Sequence, residues 1–278
     1  MTNLLTAPNR REAILERLNA RGHVSIRDLA SDLAVSEATV RRDLRQLADE
    51  NLLELVYGGA TARRVGDQSL QARSQQNHAA KRIVGNLAAS LVKDGDMLFV
   101  DAGTTCYEMR HALLRKRRLN VILTSTRLAE DLGANPDLEI IALGGHYRPE
   151  RMDFVGPLAA NAIEQLRGYT AFIGADGLSP EFGVSANDIQ TAYLYQHLLR
   201  HARETILLAD HTKFAAPSLF RICGLDAISR IVTDRPPEPL WHEVLSSHGI
   251  QIIAPTATFE GEASFAGQRD GKPSSLQR

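Results

Sequence analysis

The sequence predicts an α/β protein in two unequal parts: a small helical unit closed by a β-hairpin, then a larger, mostly parallel sheet covered by helices. Three observations carry that prediction. Short segments of helical periodicity crowd the first 60 residues. Beyond residue 96 the pattern changes to seven brief apolar runs, most of them separated by stretches long enough for a helix. At 278 residues, the chain is better matched to one large core plus a small one than to a single core.

The elements follow in order. Ile14, Leu15 and Leu18 line one face of a segment from about Arg10 to Ala20, which stops at Gly22. Ile26, Leu29, Ala30 and Leu33 line a second. Ser36 caps a third, in which Val40, Leu44 and Leu47 recur at i, i+4 and i+7. "LLELVYGGA" (52–60) reads as a strand closed by a glycine turn, completing a winged helix-turn-helix over 1–62 with the helix-turn-helix at about 24–43. Residues 63–80 are polar with little periodicity and read as a linker, and an amphipathic helix resumes over Lys81–Lys93. The apolar runs at 97–100, 121–123, 138–143, 170–173, 205–209, 230–233 and 250–253 are the expected strands of a domain over 81–255. Stretches such as 104–116, 155–167 and 187–202 are the expected helices. The polar tail, 256–278, is expected to be disordered.

Composition narrows the function. No run of about 18 apolar residues predicts a membrane span, and the first residues lack the order of a signal peptide. Cys106 and Cys223 stand alone, which favours a reducing cytoplasm and offers no zinc motif. Among the histidines only His197 and His201 share a helical i, i+4 spacing, and two ligands without a third predict no metal; no cofactor motif is present either. A net charge of -1 gives no global sign of nucleic-acid binding, so any such contact must come from local placement. Only five of the 32 basic residues are lysines, which makes each lysine the more informative cation.

One local placement is the third helix. Its apolar stripe faces inward and leaves Glu37, Thr39, Arg41, Arg42 and Arg45 outside or flanking, with Ser36 at the start. That division suits a helix in a DNA major groove, where a capping hydroxyl meets phosphate and arginines fork onto guanine or grip the backbone. A second is "FVDAGTTCYEM" (99–109), where a strand hands over to a helix through Asp101, Gly103, Thr104 and Thr105, the local recipe for an anion cradle. Further polar groups follow the next apolar runs: Thr124 and Ser125, then Gly144, Gly145 and Arg148, then Asp176, then Lys213. Open α/β sheets bind ligands at that carboxyl edge.

The stretch 11–60, with "TVRRDL" and a downstream "GGA", resembles the DNA-binding domain of the DeoR family of bacterial regulators of sugar metabolism. The motifs "DAGTT", "GPLA", "FIGADG" and "LLADHTKF" resemble that family's sensor domain. The resemblance implies a sensor related in fold to ribose-5-phosphate isomerase and a repressor that a phosphorylated, sugar-like effector releases from operator DNA. Because one wing domain recognises only a short site, a homo-oligomer, dimer or tetramer, on repeated half-sites is expected. Gly103–Thr105, Thr124, Ser125 and Lys213 would hold the phosphate, with Asp101, Arg148 and Asp176 near the sugar. Two alternatives stay open: a phosphosugar isomerase with a DNA-binding appendage, and an activator. Isomerisation needs a carboxylate base, and Gln190, Thr191 and Tyr195 stand where relatives carry acids and a lysine, so the sensor is favoured. Glu54, Leu55 and Tyr57 replace the basic residues usual in the wing, leaving Arg63 and Arg64 as candidates for its phosphate contacts.

Overall fold

A computed structural model of the chain describes residues 6–50, 52–61 and 70–255. Helix α1 (Ala7–Arg21) begins with Pro8 in its first turn and stops at Gly22. Helix α2 (Ile26–Asp32) is capped by Ser25, whose hydroxyl accepts from Asp28 N at 3.1 Å. Helix α3 (Glu37–Asp49) is capped by Ser36, which accepts from Thr39 N at 3.2 Å. Ala34, between α2 and α3, takes a left-handed φ of 52°. The predicted stripes meet in one core: Ile14, Leu18, Leu29, Val40, Leu44 and Leu47 are each 2% exposed or less. Arg10 pins α1 to α3 by donating to both oxygens of buried Asp43, at 2.6 and 3.1 Å.

The expected hairpin forms within 52–61. Glu54–Val56 and Gly59–Thr61 pair antiparallel around a turn at Tyr57–Gly58, and His23–Ser25 adds a third strand. Gly59 is required there, because a Cβ would lie 2.0 Å from the Val24 carbonyl oxygen. Within the stretch read as a linker, Leu70–Gln75 forms a short helix, α4, followed by α5 (His78–Ser90). Arg63, Arg64 and the tail 256–278 lie outside the described residues.

Every one of the seven apolar runs becomes a strand of one parallel sheet. Its order is Gln251–Ile253, Arg230–Val232, Glu204–Leu208, Thr170–Gly174, Met97–Val100, Leu119–Leu123 and Leu138–Ala142. Side chains alternate between two cores, one per face. Phe99, Ile122, Ala171, Ile173, Leu207 and Ile231 enter one core; Leu98, Val100, Val121, Leu123, Phe172 and Ile206 enter the other. Burying both faces is what makes each strand read as an unbroken apolar run. The expected helix over 104–116 is two short ones, Thr104–Tyr107 and Arg110–Leu113, and the later helices run Pro157–Ile163 and Ile189–Leu199. Among the described residues no helix is long and apolar enough to cross a membrane.

The strand order fixes where a site can form. The first three strands of the sheet are laid down in one direction, and the fourth, Thr170–Gly174, returns beside the first, Met97–Val100. At such a reversal the connections leave to opposite sides and open a crevice at the carboxyl ends.

Candidate functional site

Asp101 stands in that crevice, immediately after its strand and 6% exposed. Its Oδ2 accepts from Gly174 N at 3.0 Å across the strand reversal, and the Tyr195 hydroxyl donates to Oδ1. Burial raises the Asp101 pKa, with hydrogen bonds from Tyr195, Gly103 and Gly174 acting against it. Tyr195 is pushed well above its usual range, by burial first and by the Asp101 charge second. Gly103 is glycine for a reason the geometry shows: a Cβ there would sit 2.7 Å from Asp101 Oδ2.

Over this floor lies a cavity of about 80 Å³. Asp101, Gly103, Thr104, Thr105, Asp176 and Lys213, all expected site residues, line it. Arg73, Lys81, Arg151, Asp153, Thr191 and Tyr195 line it too. Four cations therefore converge on one small space. Lys81, 5% exposed, is held down to about 7, by burial first and then by the charge of Lys213. Its Nζ donates to the Arg73 carbonyl at 2.5 Å. Arg73 pairs with Asp176 at 3.0 Å, and Asp176 also accepts from Asn187 N at 2.9 Å. Burial works against the Asp176 charge, but Arg73 and the Asn187 amide outweigh it and lower its pKa.

Five expected residues do not line the cavity: Thr124, Ser125, Gly144, Gly145 and Arg148. They follow strands Leu119–Leu123 and Leu138–Ala142, which lie one and two places outward from the crevice. Ser125 spends its hydroxyl capping the next helix, accepting from Leu128 N at 3.2 Å. The Arg148 guanidinium grips both oxygens of Asp153, at 2.8 and 2.7 Å, and donates to Asp188 and Thr191. Arg148 thus shapes the wall through Asp153 and Thr191, which do face the cavity. Sequence reasoning missed Arg73, Lys81 and Arg151. The scarcity of lysine was the available signal for Lys81. Arg73 and Arg151 are lost among many arginines, and neither follows a strand of the large sheet.

The second surface is the outer face of α3. Ser36, Glu37, Arg41, Arg42 and Arg45 are exposed and Thr39 is half-buried, while Val40, Leu44 and Leu47 point into the core. Arg41 pairs with Glu37 one turn back at 2.9 Å, an exposed contact worth little to stability. At the wing tip Tyr57 is wholly exposed, and Leu55 and Val56 are half so. His197 and His201 both bond Glu164, at 2.6 and 2.7 Å, which accounts for their spacing without a metal.

The pattern of the DeoR-like helix-turn-helix domain matches residues 10–64, and that of the DeoR C-terminal sensor domain matches residues 76–235. The chain belongs to the DeoR family. It is similar to the HTH-type transcriptional repressor CsqR of Escherichia coli (strain K12), 30% identical over 90% of this chain and 97% of that protein. It is 28% identical to the glycerol-3-phosphate regulon repressor of the same organism, over 87% of this chain and 97% of that one. With the HTH-type transcriptional repressor GlcR of Bacillus subtilis (strain 168) it shares 31% identity, over 87% and 93%. Ribose 5-phosphate isomerase A from Neisseria gonorrhoeae is a similar solved structure, with a TM-score of 0.36 and 16% identity over 49% of this chain and 53% of that one. That likeness is remote and speaks to no chemistry. As a DeoR-family member the chain is a DNA-binding transcriptional regulator and not an enzyme.

Proposed function

We propose that this DeoR-family protein is a cytoplasmic repressor that a phosphorylated, sugar-like metabolite releases from operator DNA. In this reading residues 1–62 read the operator, and 81–255 together with Arg73 of α4 hold the effector. Helix α3 enters the major groove, with Arg41, Arg42 and Arg45 at base edges and phosphates, Glu37 and Thr39 beside them, and the Ser36 turn at the backbone. A single unit reads a short site, so a homo-oligomer on repeated half-sites is part of the proposal.

One observation carries the effector reading: Arg73, Lys81, Arg151 and Lys213 surround one cavity at the strand reversal. All three carboxylates there are already engaged: Asp101 by Tyr195 and Gly174, Asp153 by Arg148, and Asp176 by Arg73 and the Asn187 amide. Burial first and the Lys213 charge second lower Lys81, and a bound dianion would offset that repulsion. A phosphate on a small polyol fits that charge, with the remaining lone pairs of Asp101 available to hydroxyls. The relative named for the glycerol-3-phosphate regulon supports the same ligand class.

A thermal-shift screen tests it. Phosphorylated trioses, pentoses and hexoses and glycerol 3-phosphate are compared with their unphosphorylated parents, and hits are added to the protein–operator complex. Melting should rise only with phosphorylated compounds, and the same compounds should release DNA. Equal stabilisation by the parents would overturn the phosphate assignment.

A further inference from the structure

Helix α4 belongs to both halves of the molecule. Ala72, 2% exposed, packs in the apolar core of the DNA-binding unit with α1 and α3. The next residue, Arg73, reaches the other way and pairs with Asp176 at the sensor cavity at 3.0 Å. The Arg73 backbone is held there as well: its carbonyl accepts from Lys81 Nζ at 2.5 Å and from Thr104 Oγ1 at 3.5 Å, and both of those residues line the cavity. Leu70 N donates to the Glu150 carbonyl at 3.1 Å. A six-residue helix is far below the ~12–15 residues at which a helix is stable alone. Its position is therefore set by these contacts.

The cavity itself points to movement. At about 80 Å³ it is well below the ~300–1,000 Å³ usual for a small-molecule site. Arg73 and Asp176 both stand in its wall, 24% and 15% exposed. No more than a few atoms of a guest are enclosed there unless some part of that wall yields. An anionic guest acts on two bonds at once. It draws the Arg73 guanidinium away from Asp176, and it competes with the Arg73 carbonyl for the Lys81 ammonium.

We propose that the Arg73–Asp176 pair, with the Lys81–Arg73 carbonyl bond, is the latch that couples the cavity to the DNA-binding unit: occupation by an anion exchanges Arg73 from Asp176 to the guest, and α4, carrying Ala72, shifts the helix-turn-helix with it. This rests on the effector reading above for the identity of the guest, while the latch itself is testable without one. The pair also makes Arg73 an effector ligand, so the residue that recognises the charge is the residue that reports it. The coupling has physical content because the same helix makes different contacts in the two states.

The test uses the full-length chain and an operator fragment that it selects from genomic DNA. Asp176→Asn keeps shape and the bond from Asn187 but removes the partner charge; Arg73→Gln removes the other. Without any ligand each variant should bind operator at least tenfold more weakly than the wild type. The double variant should be no weaker than either single one, since one latch can be opened only once. A folded Asp176→Asn protein with wild-type operator affinity would overturn the proposal, as would additive losses. Should a variant melt too low to assay, hydrogen exchange on the wild type decides: inorganic phosphate at a concentration that raises the melting temperature must speed exchange of the α4 amides, and unchanged protection sinks the latch. The two readings fail separately. Loss of operator binding in Asp176→Asn with no phosphorylated hit keeps the latch and discards the ligand class; phosphorylated hits with an unaltered Asp176→Asn do the reverse.

Discussion

Lys81 is the residue whose chemistry is most sensitive to its surroundings. With its pKa held near 7 against ~10.4 for a free lysine, the unfolded chain carries one more proton than the folded one between those values. Stability of the ligand-free protein should therefore rise with pH across that window, by about 2 kcal/mol from pH 7.5 to 9.5 relative to Lys81→Met. Urea midpoints at the two pH values measure it, and equal slopes in both proteins would refute it. Anion binding runs the other way, because it needs the ammonium. Sulfate, whose charge is constant, should bind about tenfold more weakly at pH 8 than at pH 6, and Lys81→Met should lose that dependence. Asp188 gives the acid-side counterpart. Burial opposes its charge, yet Thr191 and Arg148 hold it at about 2. Its folded pKa lies below its unfolded one, so its contribution is present above about pH 4 and lost as pH falls toward 2. Asp188→Asn should cost about 2 kcal/mol at pH 7, with the gap to wild type closing toward pH 2 in acid-unfolding curves. At this scale the sequence showed Asp101, Gly103 and Lys213 because each follows a strand of the large sheet at the crevice, or one beside it. It could not show Arg73, since nothing local says that a polar stretch 28 residues upstream of Asp101 folds over it.

At the scale of elements, the parallel strands were the most legible part of the chain, because burial on both faces leaves no polar alternation to confuse them. The helices were legible where a cap or breaker marks them, as Ser36 does at a start and Gly22 at an end. The break after Tyr107 was not, for neither glycine nor proline stands between Thr104 and Lys116. The expected residues that stand off the cavity share one cause. Thr124 and Gly144 follow genuine strands, but each step outward in a sheet moves a strand end by ~4.8 Å, and strand order is a tertiary fact. The Ser36 cap yields a prediction at this scale. Ser36→Ala leaves the Thr39 amide without its acceptor and should destabilise the DNA-binding unit by about 1 kcal/mol, seen as a lower urea midpoint. Ser36→Asp restores an acceptor, so stability should return. Operator affinity should stay low, because the new charge faces phosphate. Recovery of both would show that the hydroxyl serves only as a cap.

The whole molecule joins two units that differ greatly in size, one of three helices with a wing around a single core and one of seven parallel strands with a core on each face. In the described residues α4 is the segment that enters the small core while bonding the large one's cavity. Two ligands acting on one such connection must influence each other equally. If an effector weakens operator binding by a given factor, operator must weaken effector binding by that factor, typically 5–150-fold for allosteric proteins. The measurement is direct: titrate the best phosphorylated hit into free protein and into protein saturated with operator, then compare the ratio of affinities with the drop in operator affinity at saturating hit. Asp176→Asn should bring both ratios toward one together, since it removes the difference between the two states rather than either site. A hit that binds the sensor cavity equally well with and without operator would mean that the two units respond independently and that this cavity is not what releases DNA.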